Sequence, residues 1–300
     1  MVNLKINGQP ISVPEGTTIL EAAQANGIDI PTLCYLKDAS VTGSCRMCVV
    51  EIVGARALQA ACVYPVSEGI EVLTHSPKVK AARKSTLELI LSNHDRKCLT
   101  CSRNQKCELQ KLSDELGVTD IAYEGIRNEY EIDASGTSIV RDNNKCVLCR
   151  RCINVCKNIQ TVGVIDAQER GFNTKIGCAF EANLADTACV NCGQCITACP
   201  VGALHEKYAT DEVFEAIADP DKYVVVQTAP AVRAALGEEF GMPFGSFVQG
   251  KMVALLRKLG FNYVLDTNFA ADLTICEEAA ELIDRIKNNK FLPQFTSCYS

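Results

Sequence analysis

"CVLCRRCINVC" (residues 146–156) and "CVNCGQCITACP" (residues 189–200) carry one spacing twice, C-x2-C-x2-C-x3-C. The first run supplies Cys146, Cys149, Cys152 and Cys156, the second Cys189, Cys192, Cys195 and Cys199, with corresponding cysteines 43 residues apart. Gaps of two and three residues let several sulfurs converge on one small volume. That suits a soft metal centre, which takes deprotonated thiolates. Eighteen cysteines in 300 residues also invite a disulfide reading, but disulfide scaffolds are small, secreted and loop-rich. Here the N-terminus "MVNLKINGQP" alternates like a strand and lacks the apolar core of a signal peptide. The expectation is metal ligation in a reducing, cytoplasmic compartment.

The doubled spacing is that of the bacterial two-cluster ferredoxin runs, in which each run gives three ligands to one 4Fe–4S cluster and its fourth to the other. The expected ligand sets are therefore crossed: Cys146, Cys149, Cys152 and Cys199 for one cluster, and Cys189, Cys192, Cys195 and Cys156 for the other. Lys157 stands where the second run has Pro200, a departure that leaves the ligands intact. Zinc is a poor rival, because a closed tetrahedral site has no use for a crossed fourth ligand. This ferredoxin-type domain is expected over residues 138–208.

Two further groups precede the repeat. Cys34, Cys45, Cys48 and Cys62 read C-x10-C-x2-C-x13-C. Four thiolates satisfy a 2Fe–2S cluster, two on each iron, although the first gap is longer than in the plant-type spacing. Zinc accepts the same four sulfurs. Around them, "VNLKINGQPISV" reads as two alternating strands joined by Asn7-Gly8, and "TTILEAAQANG" as a helix with a Thr18/Glu21 capping box and Gly27 as terminator. This opening is compatible with a small β-grasp domain over residues 1–77.

Over residues 78–117 a helical segment leads into "HDRKCLTCSRNQKC", where His94, Cys98, Cys101 and Cys107 read H-x3-C-x2-C-x5-C. A neutral imidazole in place of a thiolate lowers the negative charge of an iron site and tends to raise its potential. A zinc site of three cysteines and one histidine is the alternative. Arg96, Lys97, Arg103 and Lys106 read as a solvated face or, alternatively, as cations that help offset thiolate charge; His75 and His205 read as ordinary histidines, and Cys178 and Cys276 as packed thiols. Four clusters in about two hundred residues make sense as an electron path, since a cluster changes charge with little rearrangement.

Composition agrees. Apolar content of 47% is enough for real cores, while a net charge of −6 argues against a nucleic-acid partner. No apolar run approaches the roughly 18 residues of a membrane span. From about residue 221 the texture changes. "KYVVVQT" reads as a buried strand, "APAVRAALGEEFG" as a helix opened by Pro230 and closed by Gly241, "FNYVLDT" as another strand and "FAADLTICEEAAELIDRIKNN" as a long amphipathic helix. Strand–helix alternation marks an α/β domain. The whole is expected to be an α+β modular iron–sulfur protein with an α/β domain beginning at 221–300.

This order of modules resembles the N-terminal half of multi-cluster iron-iron (FeFe) hydrogenases. NAD-linked molybdenum formate dehydrogenases look similar over the same region. The large iron–sulfur subunit of respiratory complex I is expected to share the first two modules without the eight-cysteine repeat. "TAPAVRAALGEEFG", "LDTNFAADLTICEEAAELI" and "PQFTSC" resemble segments of the hydrogenase domain that binds the H-cluster, and they favour the hydrogenase over these two alternatives.

The resemblance implies interconversion of H2 with protons and electrons, with a ferredoxin or a flavin/NAD(P)-linked subunit as electron partner. It implies a proton-relay role for Cys298, beside a di-iron centre, continued through Glu278, Glu281 and Arg285. Read without it, these three are a charged stripe with one ion pair. Pro230 and Ala231 match positions lining the H-cluster pocket, and alanine at 231 goes with NAD(P)-linked forms. Tyr299 stands where the family has a cubane-ligand cysteine, and a phenolate is a hard, bulky substitute for a soft thiolate. Ser300 stands where the family has proline. The other H-cluster ligands would come from segments absent here, so the expectation is wiring with an incomplete catalytic domain, inactive toward H2 by itself.

Overall fold

Asn7 and Gly8 both take positive φ, 52° and 81°, as the mirror-image turn of a two-residue hairpin requires. They join β1 (Val2–Ile6) to β2 (Gln9–Val13), paired antiparallel with Leu4 opposite Ile11. α1 (Ile19–Ala25) follows, opened by the expected box: Glu21 N donates to Thr18 Oγ1, and Thr18 N donates to Glu21 Oε2. β3 (Val49–Ile52), β4 (Gln59–Ala60) and β5 (Glu71–Leu73) complete a five-stranded mixed sheet in the order β2-β1-β5-β3-β4. β5 runs parallel to β1. Ile19 and Leu20 of α1 are fully buried beside Ile6, Val50 and Val72 of the sheet. Each such side chain is worth about 1.5–3 kcal/mol.

The computed structural model describes residues 1–123 and 125–296. They fall into two units, Met1–Lys207 and Tyr208–Ser300. In the first unit, α2 (Pro77–Ser92) starts at the Ser76 cap, and α3 (Glu108–Glu115) starts at Cys107. Two pairs of short strands follow, β6 (Ile139–Arg141) with the later β9 (Leu204–Glu206), and β7 (Asp166–Gln168) with β8 (Lys175–Gly177). The two cysteine runs feed α4 (Arg151–Asn154) and α5 (Gln194–Ala198), and β9 (Leu204–Glu206) closes the unit. α4 continues into a wide turn over Val155–Ile159 that carries Cys156. Such π-type turns cluster at functional sites.

The repeat holds in the backbone as well as the sequence. Leu148 and Arg150 in the first run take φ of 53° and 62°, and Asn191 and Gly193 in the second take 54° and 72°. Glycine accepts this region freely, whereas leucine and arginine are held there at a cost. The same kinked path is therefore imposed on both runs despite different residues.

In the second unit, β10 (Val225–Thr228) pairs parallel with β11 (Tyr263–Asp266), with Val226 opposite Val264. α6 (Thr210–Ala218) precedes them, α7 (Val232–Glu239) and α8 (Gln249–Leu259) lie between them in the chain, and α9 (Thr267–Asn288) follows. Two expectations need correction. β10 is not a buried strand: Val225 is half exposed, because a strand is buried on both faces only when helices cover both. α7 begins at Val232 with Ala231 as its cap residue, so Pro230 stands before the helix. No helix of the described residues is long and apolar enough to cross a membrane.

Candidate metal centres

Cys34, Cys45, Cys48 and Cys62 are all buried. They sit at a seam: Cys34 and Cys45 belong to one hydrophobic core with Leu33 and Met47, whereas Cys48 and Cys62 belong to the core of the sheet. The four thiols interact with one another. Hydrogen bonds from Cys45 and Cys62 hold Cys34 as the thiolate, far below the usual thiol range, and raise its two donors in turn. A further bond from Cys62 brings Cys48 down to about 7. Four soft donors gathered in a dry site, two of them (Cys34 and Cys48) already shifted toward the thiolate, fit a thiolate-bound cluster.

His94 lies two residues beyond the end of α2 and is 7% exposed. Its Nδ1 is buried without a hydrogen-bond partner, and burial pulls its pKa down to about 4. The imidazole is therefore neutral at physiological pH, the form that binds metal. Burial raises the Cys107 thiol, and the nearby Cys101 and Cys98 raise it further. Gly202, from the segment after Cys199, approaches this group so closely that a Cβ on it would stand 2.5 Å from Cys101 Sγ. Arg96, Lys97 and Lys106 are solvated as expected, but Arg103 is not: its Nη2 donates to Ile196 O at 2.7 Å.

Two cavities in the repeat region sort its eight cysteines. Cys156, Cys189, Cys192 and Cys195 line one, with about 480 Å³ of atom-free space, among Ile139, Val162, Val164 and Leu184. Cys146, Cys149, Cys152 and Cys199 line the other, with about 430 Å³, beside Ile176, Val201 and Ala203. Burial pushes Cys146, Cys149 and Cys195 up to about 12. Backbone N–H groups oppose this: Leu148 N donates to Cys146 Sγ at 3.4 Å, and Arg151, Ile196 and Val201 serve Cys149, Cys195 and Cys199. Binding a metal group there must displace thiol protons, and the N–H groups then offset the thiolate charge. Among the described residues, no three His, Cys, Asp or Glu side chains are gathered as a site for a single metal ion. A cubane, by contrast, spreads its four thiolates over separate corners.

The centres are close neighbours. Asn154 Nδ2 of α4 donates to Ser40 Oγ at 2.8 Å in the loop between Cys34 and Cys45, and Cys34 acts electrostatically on Cys149. On another side, Glu108 N donates to Pro200 O at 3.0 Å, and Arg151 grips the Glu108 carboxylate with two bonds of 2.7 and 2.9 Å. Cys178 is a buried thiol as expected. Cys276 is not packed: it lies on α9, exposed.

In the second unit, Pro230 and Ala231 occupy the exposed turn after β10. Thr267 Oγ1 donates to Thr228 O, and Arg233 donates to Asp266 Oδ1 at 2.9 Å, tying together the C-terminal ends of the two parallel strands. Ligands of open α/β sheets bind at such ends. Glu281 and Arg285 form an ion pair on α9, while the Glu278 side chain has no ion-pair partner among the described residues. Cys298 lies outside the described residues, as do Tyr299 and Ser300. Gly202 and Arg103 were not legible as site residues, since no local motif marks them.

Four family models match the chain in order. A 2Fe-2S iron-sulfur cluster binding domain covers residues 1–77, and the NADH-ubiquinone oxidoreductase-G iron-sulfur binding region covers residues 83–122. A 4Fe-4S dicluster domain covers residues 140–203, and the iron only hydrogenase large subunit, C-terminal domain, covers residues 222–299. The chain is 50% identical to the NADP-reducing hydrogenase subunit HndD of Solidesulfovibrio fructosivorans, over 99% of this chain and 53% of that protein. It is 41% identical to iron hydrogenase 1 of Clostridium pasteurianum, over 99% of this chain and 52% of that protein. It thus spans about half the length of these relatives. Among solved structures, a chain of an NAD+-reducing [NiFe]-hydrogenase superposes with a TM-score of 0.65 at 31% identity, over 69% of this chain and 88% of that one.

One expectation was too narrow. An NADH-quinone oxidoreductase chain of Rhizobium meliloti aligns over 206 residues at 35% identity, covering 68% of this chain and 24% of that protein. That length exceeds the first two modules. What distinguishes the present chain is the segment after the dicluster domain. Three cluster-binding domains followed by the large-subunit match over residues 222–299 make the chain similar to the N-terminal half of the iron-only hydrogenases.

Proposed function

We propose that this chain holds one 2Fe–2S and three 4Fe–4S clusters as the electron-transfer portion of an iron-only hydrogenase subunit. The ligand sets are Cys34, Cys45, Cys48 and Cys62; His94, Cys98, Cys101 and Cys107; Cys146, Cys149, Cys152 and Cys199; and Cys189, Cys192, Cys195 and Cys156. The observation that carries this reading is the sorting of the repeat cysteines into two cavities with the fourth member exchanged. Bound there, the clusters supply one-electron oxidation and reduction with little rearrangement. The protein's residues bury the four 2Fe–2S cysteines, His94, Cys149, Cys152 and Cys199 while leaving Cys98 and Cys192 exposed, offset thiolate charge with backbone N–H groups, and fix one centre against the next. The group holding Cys146 and Cys199 is central, because the Ser40 loop and the Glu108–Arg151 grip both reach it.

For the whole protein, the reaction is interconversion of H2 with protons and electrons, in the cytoplasm, with a ferredoxin or a flavin/NAD(P)-linked subunit as electron partner. Pro230 and Ala231 belong to the active-site pocket, and Glu278, Glu281, Arg285 and Cys298 to the proton path. The domain reading has a β-grasp module at 1–77, a one-histidine module at 78–117, a ferredoxin module at 138–208 and the hydrogenase domain from 221. The test is anaerobic reconstitution with iron and sulfide, followed by reduction and spin quantitation by electron paramagnetic resonance. Signals of both cluster types, reducible in the same chain, are expected. A chain that loads iron but shows no reducible signal would overturn the reading.

A further inference from the structure

Three residues line both repeat cavities: Ile165, Leu204 and Arg141. Among the described residues, Arg141 is the only one of formal charge lining the first cavity. In the second it is joined only by Arg150, which is exposed. The Arg141 side chain is 11% exposed, so its charge acts through protein rather than through bulk water.

The guanidinium is held from behind. Nη2 donates to Asp133 Oδ2 at 2.9 Å, and Nη1 donates to Cys178 Sγ at 3.5 Å. Asp133 is itself fixed, accepting from Leu184 N at 2.9 Å and from the Ser135 hydroxyl at 2.6 Å. Asp133 lines neither cubane cavity. Of the pair, only the cationic Arg141 lines the two cavities. Cys178, a buried thiol that neither ligand set uses, anchors the guanidinium. Its burial raises its pKa, so it stays neutral and does not cancel the cation.

We infer that Arg141 is a positioning residue, a shared counter-charge that sets the potentials of both repeat clusters together, with Asp133 moderating it. The inference rests on the cluster assignment above. Reduction adds a negative charge to a cluster, and a fixed cation beside it favours the reduced form. A single cation common to both sites moves the two potentials in step, preserving the gradient between them while setting its level. Asp133, farther off and of opposite sign, weakens the effect.

The test is a redox titration of the reconstituted chain, followed by electron paramagnetic resonance, in wild type, Arg141→Gln, Arg141→Lys and Asp133→Asn. Arg141→Gln should shift both cubane midpoints to more negative potential, and Arg141→Lys should shift them less. Asp133→Asn should shift both to more positive potential, and the 2Fe–2S midpoint should stay put in every variant. A shift in only one cubane, no shift, or the same direction in Arg141→Gln and Asp133→Asn would overturn the proposal, since general damage has no reason to reverse sign. Should Arg141→Gln lose its clusters, Arg141→Lys and Asp133→Asn decide the matter alone. Iron and sulfide analysis of the wild type separates the two levels: no cubanes there refutes the cluster assignment itself.

Discussion

Cys199 lines the same cavity as Cys146, although the rest of its own run lines the other cavity. α4 and α5 pack against each other across this exchange. Cys199→Ser should therefore remove the cluster held by Cys146, Cys149 and Cys152, and Cys156→Ser the cluster held by Cys189, Cys192 and Cys195. Each loss is about four irons of about fourteen. The two variants are distinguished by adding an Arg150→Ala or Gln194→Ala perturbation beside one cavity and asking which remaining cubane signal responds. The exchange predicts a response from the cluster of the mutated cysteine's own run, and a response from the cluster of the other run would refute it.

His94 links one centre to pH. Its folded pKa, about 4, lies below the unfolded value of about 6.5. Between these values the unfolded chain binds more protons, so stability falls as pH falls. The His94 contribution is full above about pH 6.5 and is lost as pH drops toward 4. The whole effect is on the order of 3 kcal/mol. Urea midpoints of the cluster-free chain at pH 7 and pH 5 should therefore differ more in wild type than in His94→Gln, and equal differences would remove His94 as the cause.

Gly202 has no room for a side chain. Gly202→Ala places a methyl 2.5 Å from Cys101 Sγ, and overpacking of this kind costs about 1–3 kcal/mol. The variant should lose the centre of His94, Cys98, Cys101 and Cys107, about four irons, while the 2Fe–2S signal persists. Full iron content would show that Cys101 can move without consequence.

Cys276 and Cys178 should separate in chemical labelling. Cys276 is exposed on α9, whereas Cys178 is buried against Arg141. Brief alkylation of the cluster-loaded chain, read by peptide mass spectrometry, should modify Cys276 at least tenfold faster. Comparable rates would contradict the burial of Cys178.

Much of this was legible in the sequence because the signals are local. The Asn7-Gly8 turn, the Thr18–Glu21 box and the cysteine spacings each lie within a few residues, and the turn and the box formed as read. The expected exchange of Cys156 and Cys199 rests on a known spacing rule rather than on proximity in the chain. What escaped was long-range. Gly202 meets Cys101 across a hundred residues, and Arg141 reaches both cavities from a short strand, with neither carrying a motif. Arg103 looked like one of four solvated cations, yet a carbonyl of α5 captures it. The apolar run in β10 promised burial, but burial depends on what covers a strand and not on the strand's own residues.

The central claim is that these cysteines and His94 bind iron–sulfur clusters, and metal stoichiometry tests it most directly. Iron, zinc and acid-labile sulfide should be measured on the anaerobically purified and reconstituted chain. The account predicts about fourteen irons with a matching amount of sulfide per chain, and zinc well below one equivalent. Zinc at several equivalents, with little iron and no labile sulfide, would contradict it.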